Sequence, residues 1–208
     1  MVLRKRNRKI KNRLIIIGSL FLLSGLSLIT YDYLSNKKIE EEKKDAINNF
    51  YQEKETIEID LDNDNQVDED ITIEEFNYIG VIKIPKISLE RGLVNPYSYQ
   101  NNVDKNIAFV EPYTLPDKQY GNVILASHSG NSSVSFFRKL DKLSINDEVS
   151  IDYKGHTYTY KVVNIYDIDK TGKAQIFRNK NTNTLTLVTC RHNTEKQIII
   201  ICELSNTN

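Results

Sequence analysis

From Tyr78 onward the chain is cut into short β-branched runs separated by turn residues, and this feature constrains its fold most strongly. The runs are IGVIKI (79–84), NIAFV (106–110), NVILAS (122–127), EVSID (148–152), HTYTYKVVNIYDI (156–168), TLTLVTC (184–190) and QIIIICEL (197–204). Runs of this length, rich in Val, Ile, Thr and Tyr, favour extended backbone, and their spacing predicts an all-β barrel or sandwich. One helical patch interrupts them. In VSFFRKLDKL (134–143), Val134, Phe137, Leu140 and Leu143 recur on one face. All four prolines fall at bends or connections, where a missing N–H is tolerated.

The first third of the chain reads differently. Leu14 to Thr30 contains no charge, and Tyr31 and Tyr33 follow it. At about 1.5 Å per residue, a helix of this length lies near the lower limit for crossing a hydrocarbon core. Seven basic residues and no acid precede it within residues 1–13. Such a flank stays on the cytoplasmic side, which places the C-terminal bulk outside. The expected organisation is therefore a basic cytoplasmic tail (1–13), a single-pass membrane anchor (14–34), a charged spacer (35–76) and a β-domain (77–208). Residues 35–56 favour an exposed helix. Eleven acids lie between Glu53 and Glu75; without the glycine and terminal Glu of an EF-hand, they read as a self-repelling spacer and not a calcium loop. The net charge is zero and the one run of basic residues free of acids lies in the tail and not on the β-domain, which argues against nucleic-acid binding.

Two cysteines occur, with neither a CxxC nor a clustered Cys/His set, so neither a metal nor another cofactor is expected. Cys190 ends a β-run and is followed by the polar turn 191–196. A strand-end thiol beside cationic side chains is exposed and favoured as thiolate. Cys202 sits inside IIIICEL and behaves as a small hydrophobe. If the two runs pair through the short turn, the cysteines lie at opposite ends, too far apart to bridge. A nucleophilic thiol needs a base. Of three histidines, His156 alternates with tyrosines, His192 lies in the turn, and His128 follows NVILAS at another strand end. A strand-end His and a strand-end Cys far apart in the chain can meet at one rim of a barrel.

Three segments carry a family resemblance. TLVTC (186–190) is similar to the TLxTC motif around the sortase nucleophile. GNVILASHSGNSSVSFFRKLDKLSINDEV (121–149) resembles the stretch around the sortase histidine, and IGVIKIPKISLERGLV (79–94) its opening strands. The resemblance covers about residues 77–205, with motifs in family order. It implies a sortase-type β-barrel with one or two short helices behind an N-terminal transmembrane helix. It also implies the activity: a membrane-anchored cysteine transpeptidase of Gram-positive bacteria that cleaves an LPxTG-like sorting signal. The resemblance makes Cys190 the nucleophile, His128 its acid/base partner and Thr189 part of the substrate pocket. The amine acceptor belongs to a peptidoglycan precursor or a pilin. A housekeeping or class D-like subtype is implied by the single N-terminal span and the short 169–183 connection. One position departs from the pattern: Gln197 stands where sortases carry an arginine. Arg191 is expected to supply the charge, with Gln197 as the other candidate. The rivals are a surface cysteine peptidase and a degenerate sortase barrel serving as a membrane-tethered binding module.

Overall fold

The computed structural model describes the backbone of residues 2–57 and 77–208, with the side chains of 16–52 and 77–208. The spacer's acidic stretch, residues 58–76, and the tail's side chains lie outside the described residues. Two compact units divide at Glu42 and Lys43, and a helix, α1 (Val2–Ile57), runs through both.

In the first unit, Ile16, Leu20, Phe21, Leu22, Leu23, Leu26, Leu28 and Ile29 are all exposed. An all-round apolar surface has no stable place in water. Among the described residues, α1 is the one helix long and apolar enough to cross a membrane. Beyond the apolar stretch, Lys37 pairs with Glu41 and Lys38 with Glu42, the i,i+4 spacing that supports an isolated helix.

The second unit is an eight-stranded, nearly closed β-barrel. Its strands are β1 (Tyr78–Ile84), β2 (Leu89–Val94), β3 (Ala108–Phe109), β4 (Asn122–Ala126), β5 (Glu148–Tyr153), β6 (His156–Asp169), β7 (Thr184–Cys190) and β8 (Lys196–Thr207). Their order is β2-β1-β5-β6-β8-β7-β4-β3. All pairings are antiparallel except β4 with β7. Strand alternation sends Ile82, Ile84, Val123, Leu125, Val149, Ile151, Tyr160, Val162, Leu185, Leu187, Ile198, Ile200 and Cys202 into one core. The period of two thus sorts each strand into an inward and an outward set.

The patch at 134–143 is not an α-helix. Its backbone bonds run from residue i to i−3: Ser135 to Ser132, Arg138 to Ser135, Leu140 to Phe137 and Leu143 to Leu140. Only Leu140–Lys142 forms a regular 3-10 turn. The spacing 134, 137, 140, 143 is a strict three, the repeat of a 3-10 helix and not of an α-helix. Phe137, Leu140 and Leu143 are nonetheless buried, as the pattern predicts.

Residues 43–52 of α1 also differ from an exposed helix. Lys43 and Ile47 are buried, and Ile47 joins Tyr78, Val81 and Val94 in a second cluster, with Phe50 and Tyr51 packed against it. This part of α1 covers the outward face of β1 and β2. Gly92 permits the arrangement, because a Cβ there would fall 2.3 Å from the Tyr78 ring. Beside the cluster, the Tyr51 hydroxyl donates to the Asp152 carboxylate at 2.7 Å, and Lys83 lies 3.0 Å from it. Burial alone would raise the Asp152 carboxyl; hydrogen bonds from Thr157, Tyr51 and Lys83 outweigh it and hold it below its ordinary value.

Candidate active site

The parallel β4–β7 ladder sets the site. It pairs Asn122 with Thr184, Ile124 with Thr186 and Ala126 with Val188. One step further, Ser127 N–H donates to the Val188 carbonyl at 3.4 Å, and the Thr189 hydroxyl donates to the Ser127 carbonyl at 2.6 Å. Continued one residue further, the same register would set His128 beside Cys190. Val123 and Leu125 face the core, as do Leu185 and Leu187. By alternation Cys190 therefore faces outward from β7, and the chain leaves β4 toward His128 on the neighbouring strand. On the same face, the Thr184 and Thr186 hydroxyls both donate to Asn122 Oδ1 at 2.9 Å, which ties β4 to β7 below the rim.

On the other side of Cys190 stands β8. Cys190 pairs directly with Gln197, and directly opposed residues share a face. Cys190 closes β7 and Gln197 opposes it on β8, while His128 lies two residues past the end of β4. Cys190 and Gln197 are half-buried. Arg191 takes another direction. Its Nε donates to Asp167 on β6 at 2.6 Å, across β8 and away from the strand that leads to His128. Thr189 faces inward and is 4% exposed; its hydroxyl is committed to Ser127. Cys202 pairs with Leu185, five residues down the strand, and both thiols are free. Burial pushes the Cys202 thiol up to about 12, so it is inert at neutral pH. His156 lies on β6 against Tyr158, and His192 is exposed in the β7–β8 turn.

Two elements hold His128. Phe137 N–H donates to its carbonyl at 3.1 Å. Its ring Nε2 lies 2.8 Å from Asp104 Oδ1. Asp104, in the β2–β3 connection, has no motif around it, and sequence reasoning does not find it. Further down the outward face of β4, a cleft of about 310 Å3 opens between the β3–β4 and β6–β7 connections; Pro112, Ile124, Ile176, Arg178 and Lys180 help to line it. Ile124 precedes His128 by four residues, about 13 Å of extended chain. Among the described residues, no group of three or more His, Cys, Asp or Glu is placed to hold a metal ion.

The sortase-domain family model matches residues 82–205. The chain belongs to the sortase family. No curated protein matches it. Among solved structures, sortase C1 of Streptococcus agalactiae is 27% identical, with a TM-score of 0.54, over 64% of this chain and 70% of that one. The Clostridium perfringens sortase D5 transpeptidase is 24% identical, with a TM-score of 0.54, over 80% of this chain and 95% of that one. Sortase A of Listeria monocytogenes is 21% identical, with a TM-score of 0.52, over 63% of this chain and 89% of that one. Neighbours from three sortase classes align at similar scores, so they show the fold without choosing a class. Sortases are transpeptidases.

Proposed function

We propose that this sortase cleaves an LPxTG-like sorting signal and transfers the acyl fragment to an amine. The reading rests chiefly on the β4–β7 register, whose continuation two residues past β4 would set His128 beside Cys190. The Cys190 thiolate attacks the Thr–Gly carbonyl, and the carbonyl π pair moves onto oxygen. Donors at the rim stabilise that oxyanion. The oxyanion collapses, the C–N bond breaks, and protonated His128 gives its proton to the departing glycine amine. A thioester to Cys190 remains. An acceptor amine attacks the thioester, loses a proton to His128 and releases the thiolate. A peptidoglycan precursor or a pilin lysine supplies that amine.

Gln197 is the better candidate for the oxyanion donor, because it opposes Cys190 on the same face while Arg191 is engaged by Asp167. A carboxamide N–H is a neutral donor, so the step is slower than with an arginine. Thr189 fixes the β4–β7 rim beneath the substrate threonine through its bond to Ser127. The outward face of β4, leading into the cleft by Ile124, accommodates the extended peptide. The apolar stretch of α1 anchors the enzyme in the cell membrane with the basic tail inside and the barrel outside. The absence of any helix in the described 170–183 connection favours a housekeeping or class D-like subtype.

The test is incubation with a panel of LPxTG-like peptides and an oligoglycine or diaminopimelate acceptor. A ligated product that disappears in Cys190→Ala and in His128→Ala is expected. Hydrolysed peptide without ligation would favour the peptidase reading. An uncleaved panel together with a thiol unreactive toward iodoacetamide would favour the binding-module reading.

A further inference from the structure

An exposed carboxylate touches the imidazole from outside the β4–β7 rim, and its loop is built to keep it there. Asp104 sits in the connection 95–107, which is held by its own side chains. Asn102 Oδ1 accepts the Asp104 N–H at 2.9 Å, and its carbonyl accepts Lys105 and Asn106 N–H at 2.9 and 2.8 Å. Asn101 bridges the loop to Phe109 in both directions, accepting at 2.7 Å and donating at 3.2 Å. Buried Asn106 donates to the Gln100 carbonyl at 3.3 Å, and Ile107 is sunk in the core. A cation in the segment after His128 is held by backbone carbonyls. Arg138 spends its Nε on the Gly130 carbonyl and its Nη2 on the Ser132 carbonyl, each at 2.8 Å.

We propose that Asp104 is a positioning residue for His128: it accepts the Nε2–H bond and so reserves Nδ1 for proton exchange with Cys190 and the leaving amine. This rests on the assignment of His128 as acid and base. An imidazole has two nitrogens, and the bond made by one decides the role of the other. A carboxylate only accepts, so Nε2 carries hydrogen in both protonation states. The proton taken from the thiol arrives at Nδ1 and leaves from Nδ1 to the amine, and the ring returns each time to the Nε2–H tautomer. Without Asp104 the ring exchanges tautomers and rotates, and a fraction of encounters presents the wrong nitrogen. The carboxylate is largely exposed, 75% by side chain, so the effect is far smaller than for a buried orienting aspartate. The strength of solvent-exposed charged contacts sets it at about two- to fivefold in kcat.

The experiment compares wild type, Asp104→Asn, Asp104→Glu and His128→Ala in peptide ligation, alongside 15N spectra of histidine-labelled protein. In Asp104→Asn we expect kcat to fall about two- to fivefold at unchanged KM, with the His128 signals moving from Nε2–H toward the Nδ1–H form. The asparagine amide can donate to Nε2 and so favours the wrong tautomer. Asp104→Glu is expected to recover part of both losses. Wild-type kcat and wild-type nitrogen shifts in Asp104→Asn would overturn the inference, as would a loss confined to KM. An active His128→Ala would instead overturn the functional reading on which the inference stands.

Discussion

Replacing Tyr51 by Phe removes one oxygen and tests whether the end of α1 is part of the barrel's stability. The Tyr51 hydroxyl donates to Asp152 Oδ2 at 2.7 Å, and the Lys83 ammonium lies 4.8 Å over the tyrosine ring. Asp152 is 5% exposed, so a lost donor is not readily replaced by water. Burial, reinforced by Asp152, pushes the Tyr51 hydroxyl up to about 12 against the opposing pull of Lys83, and it remains a donor throughout the neutral range. A hydrogen bond to a charged group contributes roughly 1.5–3 kcal/mol. Tyr51 is only half-buried, and Asp152 keeps Thr157 and Lys83, so the lower end applies, about 1.5 kcal/mol. For a unit of this size that lowers Tm by about 3–6 °C. The assay is thermal unfolding of the purified chain followed by circular dichroism at pH 7. In an Asp152→Asn background the same change should cost less, because the charge is gone. The penalty should also depend on pH in a definite direction. The native Asp152 carboxyl is held below its ordinary value, so its contribution is complete above about pH 4 and fades as pH falls through the lowered value. Equal melting of Tyr51→Phe and wild type at pH 7 would refute the docking of residues 43–52 on the barrel.

Tyr160 is fully buried, and its hydroxyl is the one buried side-chain polar atom among the described residues that lacks a hydrogen-bond partner. Tyr160→Phe should therefore stabilise the protein by about 1 kcal/mol, seen as a higher urea midpoint; destabilisation would reveal a partner for that hydroxyl. At the rim, Gln197→Arg should speed acyl-enzyme formation about fivefold, the gain from a charged over a neutral donor. Arg191→Ala should slow it far less than Gln197→Ala in stopped-flow thiol consumption, and the reverse order would return the donor role to Arg191.

Much of the barrel is legible because its strands are dense in β-branched residues whose alternation matches the core. β7 and β8 follow the TLTLVTC and QIIIICEL runs closely, with Cys190 half-buried at the end of β7 and Cys202 buried in the middle of β8. β2 is harder to read, since Glu90, Arg91 and Gly92 interrupt its apolar residues; it is a strand because Gly92 seats Tyr78 and the register with β1 requires it. The patch at 134–143 announces its buried face correctly, while its strict period of three specifies successive 3-10 turns. The contact of Lys43 and Arg91 with the Phe136 ring, at 5.2 and 4.9 Å from its centroid, has no local signal. Nor has the pairing of Asp104 with His128. Both join segments whose residues read as ordinary solvated charge, and only the topology brings them to their partners. The choice between Arg191 and Gln197 lies in side-chain direction: an Asp167 two strands away from β7 captures the guanidinium.

The most direct measurement is the intact mass of the enzyme quenched during turnover of a sorting peptide. A covalent increment equal to the peptide up to its threonine is expected, mapped to Cys190, released by hydroxylamine and absent in Cys190→Ala. An increment that persists in Cys190→Ala, or steady cleavage by the wild type with the thiol freely alkylated and no adduct at any time, would contradict it.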